Sequence, residues 1–107
     1  MDDMMPVLFV GHGNPMNALA DNCYTRGWAA IGRSMPPPRA ILAISAHYYI
    51  PFRMVTTSPR PITIHDFSGF PDELYPIRYP APGSPEIAGR VMDLLAPQRL
   101  RADADWG

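Results

Sequence analysis

The sequence predicts an α/β protein built around a parallel β-sheet. Two short apolar runs, residues 6–10 and 40–44, are each bounded by turn residues, a pattern typical of strands that are buried on both faces. Between them, four apolar residues recur at the spacing of one helical face: Tyr24, Trp28, Ile31 and Met35. A strand, a helix and a second strand in this order predict a β-α-β unit whose two strands run parallel.

Local signals mark both ends of the first predicted helix. Asp21 and Asn22 are candidate N-caps, and the run of prolines at positions 36–38 stops the helix before the second strand. A third strand is predicted over residues 52–57, where the sequence alternates weakly and carries two threonines.

The second half of the chain predicts a long loop, a helix and a short strand. Residues 58–83 are dense in proline, glycine and aromatic residues, and loops of this length in compact domains are usually functional or pinned by their neighbours. Ser84, Pro85 and Glu86 then supply an N-cap, a proline at the first helical position and an acidic first turn. This helix should end at Ala96-Pro97, with a fourth strand near residues 99–102.

Composition excludes several classes of protein. The 107 residues make one small domain at most, and the net charge of −1 with scattered basic residues argues against a nucleic-acid partner. No run approaches the roughly 18 apolar residues of a membrane span, so no membrane partner is expected. A single cysteine, and an acidic start at residues 1–3 in place of a basic signal region, predict a cytoplasmic protein.

Two histidines follow the two apolar runs. His12 lies between Gly11 and Gly13, and His47 ends the segment Ser45-Ala46-His47. Ligands of open parallel sheets bind outside the carboxyl ends of the strands, so we expect both imidazoles to share one edge and to bind one metal ion. For either histidine alone, an ordinary turn residue is the competing interpretation.

A complete metal site needs more than two imidazoles. Catalytic zinc takes three protein ligands, and non-haem iron oxygenases use two histidines and a carboxylate. Asp21 and Asp66 are available carboxylates, but their spacing singles out neither as the third ligand. His65, directly before Asp66, is favoured as a structural, hydrogen-bonding histidine.

Several motifs occur in chain order from one end of the sequence to the other: Gly11-His12-Gly13-Asn14-Pro15, Ser45-Ala46-His47, Thr63-Ile64-His65-Asp66-Phe67 and Pro80-Ala81-Pro82-Gly83-Ser84-Pro85. Together they resemble the LigB-type extradiol ring-cleavage dioxygenases, in the branch called 4,5-DOPA dioxygenase-like. The resemblance implies a three-layer α/β sandwich with a central, mostly parallel sheet and helices on both faces.

The resemblance also implies chemistry. His12 and His47 match metal ligands of that family, whose members bind Zn²⁺ or Fe²⁺ and use O₂ to open catechols such as DOPA. Asn14 stands where the family often has Ser, and Tyr48 where it often has Trp, so both are expected at the edge of the substrate pocket.

Length is the main departure from the family pattern. Its members have about 250 residues in one domain, and the sequence ends just before the family's Asp-His-Gly segment. Residues 1–107 are therefore expected to be the N-terminal portion of a single catalytic α/β domain, truncated before the remaining metal ligands and the acid-base histidine. His65 is the candidate catalytic base here, provided that its loop folds over the metal. The isolated chain is expected to be inactive, and either to self-associate or to be stable only with the missing half.

Two other functions fit part of the sequence. Class II chelatases also place a Gly-His-Gly segment after a first apolar strand and insert a metal into a tetrapyrrole. The Ser-Ala-His and Pro-Ala-Pro-Gly-Ser-Pro motifs have no recognised counterpart in that class. The other alternative is not an enzyme: an inactive truncated fragment that binds metal weakly or acts only as an interaction partner.

Overall fold

A computed structural model describes residues 4–107, which fall into two compact units. The first comprises residues 4–39 and Phe67–Pro76, and the second comprises Ala40–Asp66 and Ile77–Gly107. The acidic start at residues 1–3 lies outside the described residues.

Helix α1 of the first unit spans Cys23–Arg33 and begins at a complete capping box. The side-chain oxygen of Asn22 accepts hydrogen bonds from the backbone N–H groups of Tyr24 and Thr25, and the Thr25 hydroxyl accepts one from the N–H of Asn22. The prediction of Asn22 as N-cap is thus confirmed. The helix ends with Ser34 as C-cap, shortly before the prolines that cannot continue it.

Two short 3₁₀ helices complete the first unit. They span Pro15–Ala18 and Asp72–Leu74 and contact each other. Leu74 is buried. Nearby in the sequence, the centroid of the Phe67 ring lies 5.4 Å from that of Phe70 and 5.3 Å from that of Tyr75. The second half of this unit is therefore held by aromatic and aliphatic packing.

The second unit contains a β-α-β arrangement. Strand β1 (Met54–Thr56) pairs in parallel with strand β2 (Arg101–Asp103), with Val55 opposite Ala102. Helix α2 (Pro85–Leu94) lies between them in sequence, contacts β1 and is capped by the hydroxyl of Ser84, which accepts from the N–H of Ile87 at 3.2 Å. The third and fourth predicted strands and the second predicted helix are confirmed.

The two strands predicted over residues 6–10 and 40–44 are not formed, and this prediction is wrong for the described structure. Their apolar side chains are largely exposed, with Val7 and Phe9 completely so and Ile44 at 95%. A β-strand is defined by its hydrogen bonds to a neighbouring strand. Among residues 4–107, neither apolar run has a neighbouring strand in a sheet. Apolar sequence alone therefore did not specify strand pairing.

The described residues combine helices with a parallel strand pair, in keeping with an α/β fold. Leu74 and Ala88 are the buried hydrophobic residues in this part of the chain. Neither helix found between residues 4 and 107 has the length and hydropathy needed to cross a membrane.

Candidate metal centre

The loop that carries His12 is fixed by its own polar groups. Gly13, directly after the histidine, has a φ of +65°, in the left-handed region that favours glycine. The side-chain oxygen of Asn14 accepts from the N–H of Met16 at 2.8 Å and so begins the first 3₁₀ helix. The Asn17 amide donates to the carbonyl oxygen of His12 at 3.0 Å. The backbone around His12 is thus tied to the turn that follows it.

Asn17 also links this loop to helix α1. Its side-chain oxygen accepts from the Asn22 amide at 3.0 Å, and Asn22 in turn caps the helix. Two asparagines therefore connect the His12 backbone to a helix N-terminus. Asn17 could not be identified from the sequence, because no local pattern distinguishes an amide that bonds five residues away from one that faces solvent.

The His12 imidazole is oriented by a backbone carbonyl. Its Nδ1 lies 3.0 Å from the carbonyl oxygen of Gly13. A carbonyl oxygen can only accept, so Nδ1 carries the proton in this hydrogen bond. In the neutral ring, the lone pair is then on Nε2.

The His47 ring is also oriented by a hydrogen bond at Nδ1, but the acceptor is a side chain. The Ser45 hydroxyl accepts from the N–H of His47 at 3.1 Å, and the Ser45 carbonyl accepts from the N–H of Tyr48 at 3.2 Å. This turn presents the ring to Asp66, whose Oδ2 lies 3.0 Å from His47 Nδ1. The carboxylate accepts, so Nδ1 of His47 carries the proton as well.

The two rings therefore share one tautomer, the one that metal-binding histidines commonly show. Such histidines donate one ring N–H to a carboxylate or backbone carbonyl, which orients the ring and leaves the other nitrogen for the metal. The donor chemistry of His12 and His47 fits Zn²⁺ or Fe²⁺ at Nε2.

The residue after His47 belongs to a second cluster. The Tyr48 hydroxyl donates to Asp103 at 2.9 Å, and its ring centroid lies 5.6 Å from that of Trp106. Partial burial is the main reason that the pKa of Tyr48 rises to about 12, and Asp103 adds to it by hydrogen bond and charge. The pKa of Asp103 is lowered, first by the N–H of Asp105, which donates to it, and then by the Tyr48 hydroxyl.

His65 differs from the other two histidines. It is half-buried, and its Nε2 lies 2.8 Å from the carbonyl oxygen of Ile77 and 3.3 Å from the guanidinium of Arg78. Arg78 donates to the same carbonyl at 3.0 Å. These contacts join the two sides of the 58–83 loop, as expected for a hydrogen-bonding structural histidine.

The carboxylates considered as a third ligand are engaged elsewhere. Asp21 forms an exposed ion pair with Arg26 at 2.8 Å, and Asp66 bonds Nδ1 of His47. Within residues 4–107, no three or more His, Cys, Asp and Glu side chains are grouped so that they could hold a metal ion. His12 lies in the first unit and His47 in the second, so their shared metal site stays a prediction.

Comparison with known proteins settles the resemblance. Over 104 residues, 96% of this chain, the sequence is 52% identical to a 4,5-DOPA dioxygenase extradiol of Escherichia coli. The chain is homologous to the 4,5-DOPA extradiol dioxygenases. A protein of the same name in Beta vulgaris is 41% identical over 89% of the chain, and the dioxygenase tasH of Hapsidospora irregularis is 31% identical over 82%.

The similarity covers nearly all of this chain but a minor part of each relative. The chain spans 38% of the E. coli dioxygenase, 37% of the Beta vulgaris dioxygenase and 31% of tasH. No family model matches the chain. The resemblance predicted from the collinear motifs is confirmed by these relatives, whereas the roles of individual residues remain predictions.

Proposed function

We propose that this chain contributes metal ligands to an extradiol dioxygenase that opens a catechol ring with O₂. The observation that carries the proposal is the 52% identity, over 96% of the chain, to a 4,5-DOPA dioxygenase extradiol. The hydrogen bonds at Nδ1 of His12 and His47 support it independently, because metal-binding histidines commonly donate one ring N–H to a carbonyl or carboxylate. DOPA or a related catechol is the proposed substrate.

The proposed architecture is the three-layer sandwich of the family. The parallel pair β1–β2 and its contact with α2 support this proposal. In such a central sheet, where both faces of a parallel strand are covered, the exposed apolar runs 6–10 and 40–44 would become buried. In that sheet His12 and His47 would reach one edge.

Each residue has a defined part in the proposed reaction. His12 and His47 bind the metal through Nε2, each held by a hydrogen bond from Nδ1. A bound Zn²⁺ or Fe²⁺ would hold catechol and O₂ side by side and act as a Lewis acid toward the catechol oxygens. The reaction breaks the ring carbon–carbon bond beside the diol and places both oxygen atoms in the product, so it needs no external reductant.

Substrate fit is assigned to the edge of the site. Tyr48 follows His47 directly and is held by Asp103 and Trp106, so its ring can define one wall for an aromatic substrate. Asn14 follows the His12 loop, but its side-chain oxygen already begins the first 3₁₀ helix. We therefore assign Asn14 a role in shaping the loop in addition to the pocket.

The proton of the catechol needs a base, and His65 is the candidate in this chain. Its Nε2 is engaged by the Ile77 carbonyl and the Arg78 guanidinium, so Nδ1 would have to accept the proton. The tie between His65 and the 58–83 loop favours its structural role. The isolated 107-residue chain is accordingly expected to have negligible ring-cleavage activity.

The test is an assay of the full-length protein with DOPA, O₂ and added Zn²⁺ or Fe²⁺. A yellow ring-opened product that is lost in both His12→Ala and His47→Ala supports the proposal. Metal insertion into a porphyrin without ring opening would contradict the proposal and favour the chelatase function. The absence of both activities would also contradict it and favour the alternative of a fragment that acts only as an interaction partner. We also propose a cytoplasmic location.

A further inference from the structure

The contact between Asp66 and His47 has a consequence for metal binding. Asp66 Oδ2 lies 3.0 Å from His47 Nδ1, and the two residues are 19 positions apart in the sequence. The contact therefore joins the turn after residue 44 to the long loop 58–83 within one unit.

The contact contributes little to stability. The side chain of His47 is 51% exposed and that of Asp66 is 64% exposed, and ion pairs between exposed groups stabilise proteins weakly. A hydrogen bond to a carboxylate nevertheless selects one tautomer and one ring orientation. The chemical effect of this contact is thus larger than its energetic effect.

We infer that Asp66 is a positioning residue for the metal site. Its carboxylate keeps the proton of His47 on Nδ1 and so presents the Nε2 lone pair to the metal. This inference rests on the proposed function and adds to it a role for Asp66, a carboxylate that contacts a predicted ligand. It also assigns Asp66 a place outside the ligand set, because its Oδ2 accepts the hydrogen bond of the His47 ring.

At His12, a main-chain group accepts the hydrogen bond that orients the ring. There the acceptor is the carbonyl oxygen of Gly13, at 3.0 Å from Nδ1, which no side-chain substitution can remove. Asp66 is therefore the anchor that mutation can test. An outer-shell partner of this kind typically changes metal affinity by about 10–100-fold when it is lost.

The experiment compares Asp66→Ala with Asp66→Glu in the full-length protein. The ring-nitrogen NMR shifts of His47, assigned from a His47→Asn variant, report the tautomer of the neutral ring in alkaline buffer without metal. We expect Nδ1–H in the wild type, its loss in Asp66→Ala, and substantial recovery in Asp66→Glu. Zn²⁺ affinity should fall by about 10–100-fold in Asp66→Ala and recover in Asp66→Glu.

A matched control separates this effect from a change in charge. Asp93 is an exposed carboxylate in the same unit, near the end of α2, and Asp93→Ala removes the same charge. It should leave both the tautomer and the Zn²⁺ affinity unchanged. Asp66→Asn provides a second variant of nearly unchanged shape if Asp66→Ala does not fold, and its neutral amide should also reduce the share of Nδ1–H.

An unchanged His47 tautomer and unchanged Zn²⁺ affinity in the Asp66 variants would overturn the inference. That result is distinguishable from failure of the proposed function. The tautomer is measured without metal or substrate, so it can change as expected even in a protein that opens no catechol ring.

Discussion

At the scale of single residues, hydrogen bonds give His12 and His47 a common chemical state that spacing could not predict. The sequence identified both as candidate ligands from their positions after two apolar runs. It could not predict which ring nitrogen carries the proton, because the acceptors are a neighbouring carbonyl in one case and a side chain 19 residues away in the other. A long-range partner such as Asp66 leaves no local pattern in the sequence.

A first prediction concerns the phenol of Tyr48. Its pKa should be about 12, and Asp103→Asn should lower it while leaving it above the ordinary 10, because burial is the larger cause. An ultraviolet titration of each protein against its Tyr48→Phe counterpart isolates this tyrosine. An unchanged pKa in Asp103→Asn would show that the carboxylate does not act on the phenol.

Tyr48 and Asp103 should make the stability of the folded chain depend on pH in two opposite ways. The folded pKa of Tyr48 is raised, so its contribution is present below pH 10 and is lost as the pH rises toward 12. The folded pKa of Asp103 is lowered, so its contribution is present above pH 3.8 and is lost as the pH falls through the folded pKa. Urea unfolding across these two ranges, compared with Asp103→Asn, measures both.

At the scale of elements, the helices followed from the sequence and half of the strands did not. Helix α1 begins at Asn22 and α2 at Ser84, because caps act within one turn and can be recognised from neighbouring residues. Strands β1 and β2 were predicted near their observed positions. The apolar runs 6–10 and 40–44 remained unpaired because the partner of a strand is specified by distant residues.

The cap of α1 provides the second prediction. Asn22→Ala should cost about 1 kcal/mol in the free energy of unfolding, because it leaves the N–H groups of Tyr24 and Thr25 without their acceptor. Asp21→Ala is the matched control, since Asp21 was the other candidate cap but instead makes an exposed pair with Arg26. It should cost less than about 0.5 kcal/mol.

Urea denaturation of both variants measures the difference. Equal losses for the two substitutions would contradict the assignment of the cap. Asn22→Asp should retain most of the stability, because aspartate also accepts hydrogen bonds from a helix N-terminus.

At the scale of the whole molecule, exposed apolar surface predicts association. Val7, Phe9, Ile41 and Ile44 are all largely exposed, although such residues are usually buried in soluble domains. Unpaired backbone groups along an apolar segment also favour pairing with another chain. We expect the isolated 107-residue chain to self-associate.

Sedimentation velocity at several concentrations measures this association. Phe9→Ser should weaken it, whereas Tyr49→Ser, which changes an equally exposed aromatic residue outside the two runs, should have less effect. A monomer that unfolds cooperatively would contradict the prediction and favour a complete small domain of the chelatase type.

The central claim is that His12 and His47 bind one metal ion together, and Zn²⁺ titration of the full-length protein tests it most directly. The variants are His12→Ala, His47→Ala and the double substitution. His65→Ala is the control, because its Nε2 is engaged by the Ile77 carbonyl and the Arg78 guanidinium. Each single substitution should cost more than the roughly 10–100-fold of an outer-shell partner, and the double substitution should cost little more than either. Full affinity in a single variant, or losses that simply add, would contradict a shared site.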